Sequence, residues 1–253
     1  MRLALVGYGK MGRELEKAAV TRGHQVVAII DPDVPGMAKE MSAATVKNAE
    51  VALEFTQKEA VLNNLEQALK LNLKLVIGTT GWYDDLEKAK ELVQQYQGGV
   101  IYAPNFSVGV NLFFEVVQRA AEVFRNFSQY DVYLLEKHHR NKVDSPSGTA
   151  KKIADIILHQ INRKKKIVTE SLNRRINEDE MHLLCIRAGA IYGEHSVFFD
   201  SEGDEIELTH RARSRVGLAT GALVAAEWIR DKKGFYAFSD VFKSLISGGQ
   251  NGK

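Results

Sequence analysis

The sequence predicts an α/β protein of two domains. The first is a parallel-sheet domain of βα repeats; the second is an α+β domain with a mostly antiparallel or mixed sheet. Three observations carry this reading. Over the first 106 residues, short apolar runs alternate with helix-period segments, the pattern of βαβ units. The first of these runs leads into a glycine-rich turn and a helix. After Asn105, one long amphipathic helix gives way to strands separated by turn residues. Residues 1–106 and 216–253 are assigned to the first domain and residues 107–215 to the second. The chain is expected to cross between them near Phe106–Gly109 and Arg215–Leu218.

In chain order, Leu3–Val6 reads as a buried strand, and Met11, Leu15, Ala18 and Ala19 set a helical face. His24–Ile30 is a second strand ending at Asp31. Val51–Phe55, Leu73–Ile77 and Val100–Tyr102 are later strands, with helices at Ala60–Leu71 and Asp84–Gln97 between them. Val110–Phe124 is a long amphipathic helix and Tyr130–Glu136 a strand. Ser145-Pro146 reads as a helix N-cap followed by proline in the first turn. Asn162–Glu180, with its KKK and RR runs, reads as a solvated excursion. Met181–Arg187, His195–Asp200 and Glu205–Arg211 are strands expected to pair antiparallel through their turns. Val216–Ile229 is a helix expected to pack back on the first domain.

Composition excludes several classes. Hydrophobic residues make up 45% and charged residues 26% of 253, as in soluble globular chains. With 34 Lys+Arg against 32 Asp+Glu, the net charge of +2 argues against a nucleic-acid partner. No run approaches a membrane span, and the start of the chain lacks the apolar stretch of a secretory signal. A single cysteine, Cys185, allows no internal disulfide and fits a reducing compartment. The expectation is a cytoplasmic protein.

Val6-Gly7-Tyr8-Gly9-Lys10-Met11-Gly12 places G-x-G-x-x-G between a strand and a helix. The first glycine permits the tight turn, the second lets backbone approach a pyrophosphate, and the third lets helix and strand pack closely. Asp31, ending the second strand, stands where a carboxylate can bind ribose hydroxyls. The predicted domain is Rossmann-like, and the predicted cofactor is NADH or NADPH. The segment Asp31-Pro32-Asp33-Val34-Pro35-Gly36 has no basic residue for a 2′-phosphate, so NADH is preferred; Lys10 is the residue best able to rescue NADPH. Gly78-Thr79-Thr80-Gly81 and Ala103-Pro104-Asn105-Phe106 follow two further strands. They fall where ligands bind in open α/β sheets, so Gly78, Thr79, Thr80 and Ala103–Phe106 join the cofactor crevice.

The stretch from Glu136 to Ala150 (EKHHRNKVDSPSGTA) holds His138, His139, Arg140 and Lys142 within five residues. Adjacent histidines without cysteine or a spaced third ligand argue against zinc, and no metal is expected. The pattern suits a small dicarboxylate, with groups able to deliver a proton and helix N–H groups near Ser147–Thr149 for a carboxylate.

This stretch resembles the signature of the dihydrodipicolinate reductase (4-hydroxy-tetrahydrodipicolinate reductase) family. Gly78–Gly81, Asn105–Asn111, Arg187–His195 and Glu207–Arg215 match the same family in order. The first turn departs from it, being one residue shorter than the common G-A-x-G-R-M-G and carrying Lys10 where arginine is usual. The resemblance implies NAD(P)H-dependent reduction of a cyclic imine dicarboxylate to tetrahydrodipicolinate, in lysine and diaminopimelate biosynthesis. It implies His138 as acid/base, Lys142 as proton donor, and His139, Gly148 and Thr149 as substrate-binding. It assigns Gly7–Gly12, Asp31, Gly78–Thr80 and Ala103–Phe106 to the cofactor, and implies a homotetramer built through the second domain's sheet. Two alternatives are another two-domain nicotinamide dehydrogenase and a non-catalytic NADH-sensing regulator. The intact His138–Thr149 segment argues against the first, and the lack of room for a DNA-binding module against the second.

Overall fold

The computed structural model describes residues 1–246; the end of the 216–253 assignment lies outside the described residues. In chain order the elements are β1 (Arg2–Val6), α1 (Lys10–Thr21), β2 (Gln25–Ile30), α2 (Ala43–Val46), β3 (Val51–Glu54), α3 (Val61–Lys70), β4 (Lys74–Ile77), α4 (Leu86–Gln95) and β5 (Gly99–Tyr102). Next come α5 (Val108–Phe124), β6 (Asp131–His138), α6 (Gly148–Gln160), β7 (Lys166–Val168), β8 (Glu180–Arg187), β9 (Glu194–Asp200), β10 (Glu205–Arg211), α7 (Val216–Ile229), β11 (Gly234–Ala237) and α8 (Phe238–Ile246).

The chain divides into two compact units, one of Met1–Val108 with Arg215 onward, the other of Gly109–Ser214. The first holds a six-stranded sheet in the order β11-β5-β4-β3-β1-β2, parallel at every pairing. Its central strands are apolar on both faces because helices cover both, as parallel sheets require. The alanine-rich α7 is buried along most of its length against one face. Sequence patterning did not find β11, a short GFYA strand added at the edge beside β5.

The second unit holds a five-stranded sheet in the order β10-β9-β6-β8-β7. β6 alternates, burying Val132, Leu134, Glu136 and His138 on the face that packs with residues of α5 and α6. Two expectations are corrected here. β8 does not pair with its chain neighbour β9 but lies parallel between β6 and β7, so the sheet is mixed. The stretch 162–180 is not wholly solvated: it contributes β7, and Lys164 is buried, its ammonium bonding the Glu180 carbonyl at 2.8 Å and the Asp131 carboxylate at 2.6 Å. A buried ammonium needs such partners, which the charge run conceals.

On the other face of this sheet, Leu184 and Ile186 are each 42% exposed, beside the stacked rings of Tyr133 and Phe198. No helix among the described residues is long and apolar enough to cross a membrane.

Candidate functional site

In the first unit, the turn after β1 is built for backbone approach. Gly7 has φ +91°, and a Cβ there would lie 2.2 Å from the Phe55 carbonyl oxygen, so a side chain is excluded on two counts. A Cβ at Gly12 would lie 2.3 Å from the Gly7 carbonyl oxygen, which lets α1 close onto the turn. Gly9 differs: nothing lies within 4 Å of its Cβ position, and as N-cap of α1 it gives no side-chain cap. The helix start therefore keeps its positive dipole end and its N–H groups for an anion. Asp31 is tied to the same turn, its carboxylate accepting from the Tyr8 N–H at 2.7 Å and the Asp33 N–H at 3.0 Å.

Gly7, Gly9, Asp31, Asp33 and Thr56 line one cavity of about 510 Å³. Open space at Gly9 and a fixed carboxylate at Asp31 fit a dinucleotide. Lys39 lines the cavity as well. The expected lack of a nearby basic residue is therefore corrected: the loop after Asp31 folds back, with hydrogen bonds joining Asp31 and Ile29 to Ala38, and this carries Lys39 to the cavity.

The other expected cofactor residues take varied places. Tyr8, Lys10, Met11 and Gly12 belong to the turn and α1 but not to the cavity wall; the Tyr8 hydroxyl bonds Glu16, and Arg13 lies over its ring. Thr79 is buried, its hydroxyl accepting from the Thr56 N–H and its carbonyl from the Trp82 indole. Gly78 donates its N–H to Glu54. Ala103 bonds Ile77, and the Asn105 side chain accepts from Ser107. Pro104 follows Ala103 into this loop, exposed. The Phe106 ring is committed to the core against Phe55 and Phe238, leaving only its backbone for a ligand. Beneath these loops Glu54 is fully buried, and burial raises its carboxyl above the usual range against hydrogen bonds from Thr56 and Asn64.

In the second unit, the basic loop is pinned at both ends. The His138 carbonyl accepts from Ala188 and the Gly189 carbonyl from Arg140. A turn joins Lys142 to His139, and the Lys142 ammonium bonds Asp144 at 2.7 Å. The expected N-cap is corrected: Ser145-Pro146 is a cis peptide, and α6 is capped by Ser147, whose hydroxyl accepts from Ala150 at 3.1 Å. Gly148 and Thr149 open the helix directly behind that cap.

Ser147 leads to a carboxylate that spacing did not single out. Glu136 is completely buried, accepting from the Ser147 N–H at 3.1 Å, the Ser147 hydroxyl and the Arg187 guanidinium at 2.6 Å. Burial alone would raise its carboxyl, but hydrogen bonds with His195, Ser147 and Arg187 outweigh burial and hold it well below the usual carboxylate range. His138 Nδ1 lies 3.5 Å and His195 Nε2 3.6 Å from the same carboxylate, and the two imidazoles meet edge to face. Burial lowers His138 to about 4, with nearby His195, Lys142 and Arg187 adding to the effect and Glu136 opposing it.

The third metal donor that spacing lacked is therefore present: Glu136, His138 and His195 offer atoms within 4.8 Å of one another. The carboxylate is already engaged on both oxygens: Arg187 and the Ser147 N–H hold Oε1, and the Ser147 hydroxyl holds Oε2, the oxygen that faces both histidines. Glu194, without a role from sequence, sits on the opposite strand parity and binds Lys137 at 2.8 Å and Arg211 at 2.7 Å. A further cavity, of about 530 Å³ around Arg125, His159 and Arg163, contains no residue of either motif.

Residues 1–106 match the family described as dihydrodipicolinate reductase, N-terminus, and residues 109–242 its C-terminus. Proteins named 4-hydroxy-tetrahydrodipicolinate reductase from Christiangramia forsetii and Archaeoglobus fulgidus are 38% and 39% identical to the chain. The first alignment covers 97% of this chain and 99% of the relative, the second 95% and 99%. Among solved structures, a dipicolinate-bound dihydrodipicolinate reductase from Paenisporosarcina sp. TG-14 superposes with a TM-score of 0.74 at 24% identity, covering 95% of this chain and 99% of that one. It bears on the fold alone.

Proposed function

The chain belongs to the dihydrodipicolinate reductase family, and we propose that it catalyses NAD(P)H-dependent reduction of the 4-hydroxy cyclic imine dicarboxylate to tetrahydrodipicolinate, with loss of water. Its place is then in lysine and diaminopimelate biosynthesis. The observation that carries the reading is the loop from His138 to Thr149. It sets two histidines, a lysine and the start of α6 in one segment, closed at its base by the bonds of Ser147 and Arg187 to Glu136.

The first unit would hold the dinucleotide, with Gly7–Gly12 at the pyrophosphate, Asp31 at a ribose, and the loops Gly78–Thr80 and Ala103–Phe106 beyond it. Reduced nicotinamide supplies the hydride. The chain's own residues supply the rest. Addition to a conjugated C=C–C=N system builds negative charge on the far carbon and nitrogen, which the Lys142 ammonium stabilises and a positioned acid quenches. His138, lowered to about 4, is neutral at pH 7 and can act as an acid only after taking a proton; Lys142 has one to give. His139, Gly148 and Thr149 hold the substrate carboxylates.

The preference for NADH rests on the carboxylates of Asp31, Asp33, Glu40 and Glu59, which share the cavity with a single ammonium, that of Lys39. The half-exposed apolar face of the five-stranded sheet supports a homotetramer assembled through the second unit. The lone thiol of Cys185 supports a reducing, cytoplasmic setting.

The test is NADH oxidation at 340 nm with and without freshly generated product of the preceding synthase. A substrate-dependent rate is expected, and its absence defeats the reading.

A further inference from the structure

Glu136 is the point where four segments of the second unit meet. It projects from β6 beside His138, binds the N-cap of α6 through Ser147, binds β8 through Arg187, and faces His195 of β9. Arg187 extends this hold, since the nitrogen that bonds Glu136 also donates to the Asp144 carbonyl at 2.6 Å. One buried carboxylate thus anchors both ends of the loop that carries Lys142.

A neutral imidazole has one N–H, and its position decides which nitrogen can accept a proton. His138 Nδ1 is buried and makes no hydrogen bond among the described residues; the Glu136 carboxylate, 3.5 Å away, is the charge it faces. A lone pair aimed at that carboxylate would be repelled, whereas an N–H is attracted. His138 Nε2 points elsewhere, toward Gly193, where a Cβ would stand 3.1 Å from it.

We propose that Glu136 is a positioning residue: it holds His138 as the Nδ1–H tautomer, leaving Nε2 to exchange a proton, and through Arg187 and Ser147 it fixes the loop of Lys142 and the first turn of α6. The inference rests on the reductase reading for its kinetic consequence but not for the tautomer itself. The charged and titratable groups around His138 are Glu136 on its own strand, Lys142 from the loop, Arg187 from β8 and His195 from β9. Glu136 is the only anion of that set, so its removal must act on both the ring's tautomer and its protonation.

The experiment has two arms on the full-length protein. Two-bond proton–nitrogen correlation spectra of uniformly ¹⁵N-labelled protein at pH 7.5, with His138 assigned through His138→Asn, read the tautomer directly. Protonated Nδ1 is expected, and protonated Nε2 overturns the proposal. This arm needs no Glu136 variant, so it decides the point even where Glu136→Gln does not fold, and it is independent of which substrate is reduced. In the second arm, Glu136→Gln is expected to lower kcat about ten-fold or more, with KM for the dicarboxylate little changed and the acidic limb of the kcat–pH profile displaced. A folded Glu136→Gln enzyme with wild-type kcat and pH profile overturns the proposal. Failure of the reductase reading would instead leave the wild type itself without a substrate-dependent rate.

Discussion

The guanidinium of Arg187 lies 2.6 Å from the fully buried carboxylate of Glu136, fifty-one positions earlier in the chain. Truncating one partner of a buried ion pair leaves the other unpaired, at a cost of roughly 3–5 kcal/mol. Arg187→Ala is expected to fall toward the lower end, because Ser147 still donates twice to Glu136 and Arg187 keeps some exposure. Urea unfolding at pH 7.5 measures it; a change under about 1 kcal/mol would place the pair among inconsequential surface bridges.

His138 makes stability depend on pH in a defined direction. Its folded pKa is lowered to about 4 from 6.5, mainly by burial, so the unfolded chain takes up the proton first as pH falls. The contribution is complete above about pH 6.5 and is lost as pH descends toward 4. Between pH 7.5 and pH 5 this residue should remove about 2 kcal/mol, and His138→Asn should flatten that part of the curve. Parallel curves for the two proteins would contradict the assignment.

Lys142 and the two histidines should separate kinetically. Lys142→Arg keeps the charge but not a proton that can be released, so kcat is expected to drop about 10²-fold or more. His138→Asn should likewise lower kcat, whereas His139→Asn should chiefly raise KM. Steady-state rates with the dicarboxylate varied distinguish these outcomes, and a Lys142→Arg enzyme with near-normal kcat removes Lys142 from proton transfer.

The glycine turn offers a contrast between two alanines. At Gly12 the new Cβ would meet the Gly7 carbonyl at 2.3 Å, whereas at Gly9 it would meet nothing within 4 Å. Gly12→Ala is expected to lower Tm by several degrees, at about 4 °C or less per kcal/mol for a chain this size. Gly9→Ala should keep the wild-type Tm while its methyl fills the open space at the start of α1, raising KM for the cofactor. Thermal melts and NADH titration by fluorescence read the two effects; unaltered NADH affinity in Gly9→Ala would move the cofactor away from this turn.

Lys39 sits in the cavity with Asp31 and is the ammonium available there to a 2′-phosphate. Lys39→Ala should therefore lower kcat/KM for NADPH more than for NADH. Equal losses for both cofactors would exclude the phosphate contact.

Much of this protein is decided over short stretches of chain. The βα alternation, the glycine turn with Asp31, and the basic loop are all readable because strand and helix periods and turn chemistry act over a few residues. The resemblance to the reductase family was readable for the same reason, its signature being one continuous segment. Glu136, the last residue of the expected strand Tyr130–Glu136, is not marked by its neighbours in sequence as a buried carboxylate. What satisfies it was not local. Arg187, Ser147 and His195 reach it from separate elements, and only the strand order, with β8 inserted parallel beside β6 and β9 antiparallel on its other side, brings them together. Lys39 likewise enters the cavity through a loop that returns to β2. Burial then sets the charge these groups carry: inside the unit it lowers His138 well below the usual histidine range, beside the Glu136 carboxylate that strand order brings to it.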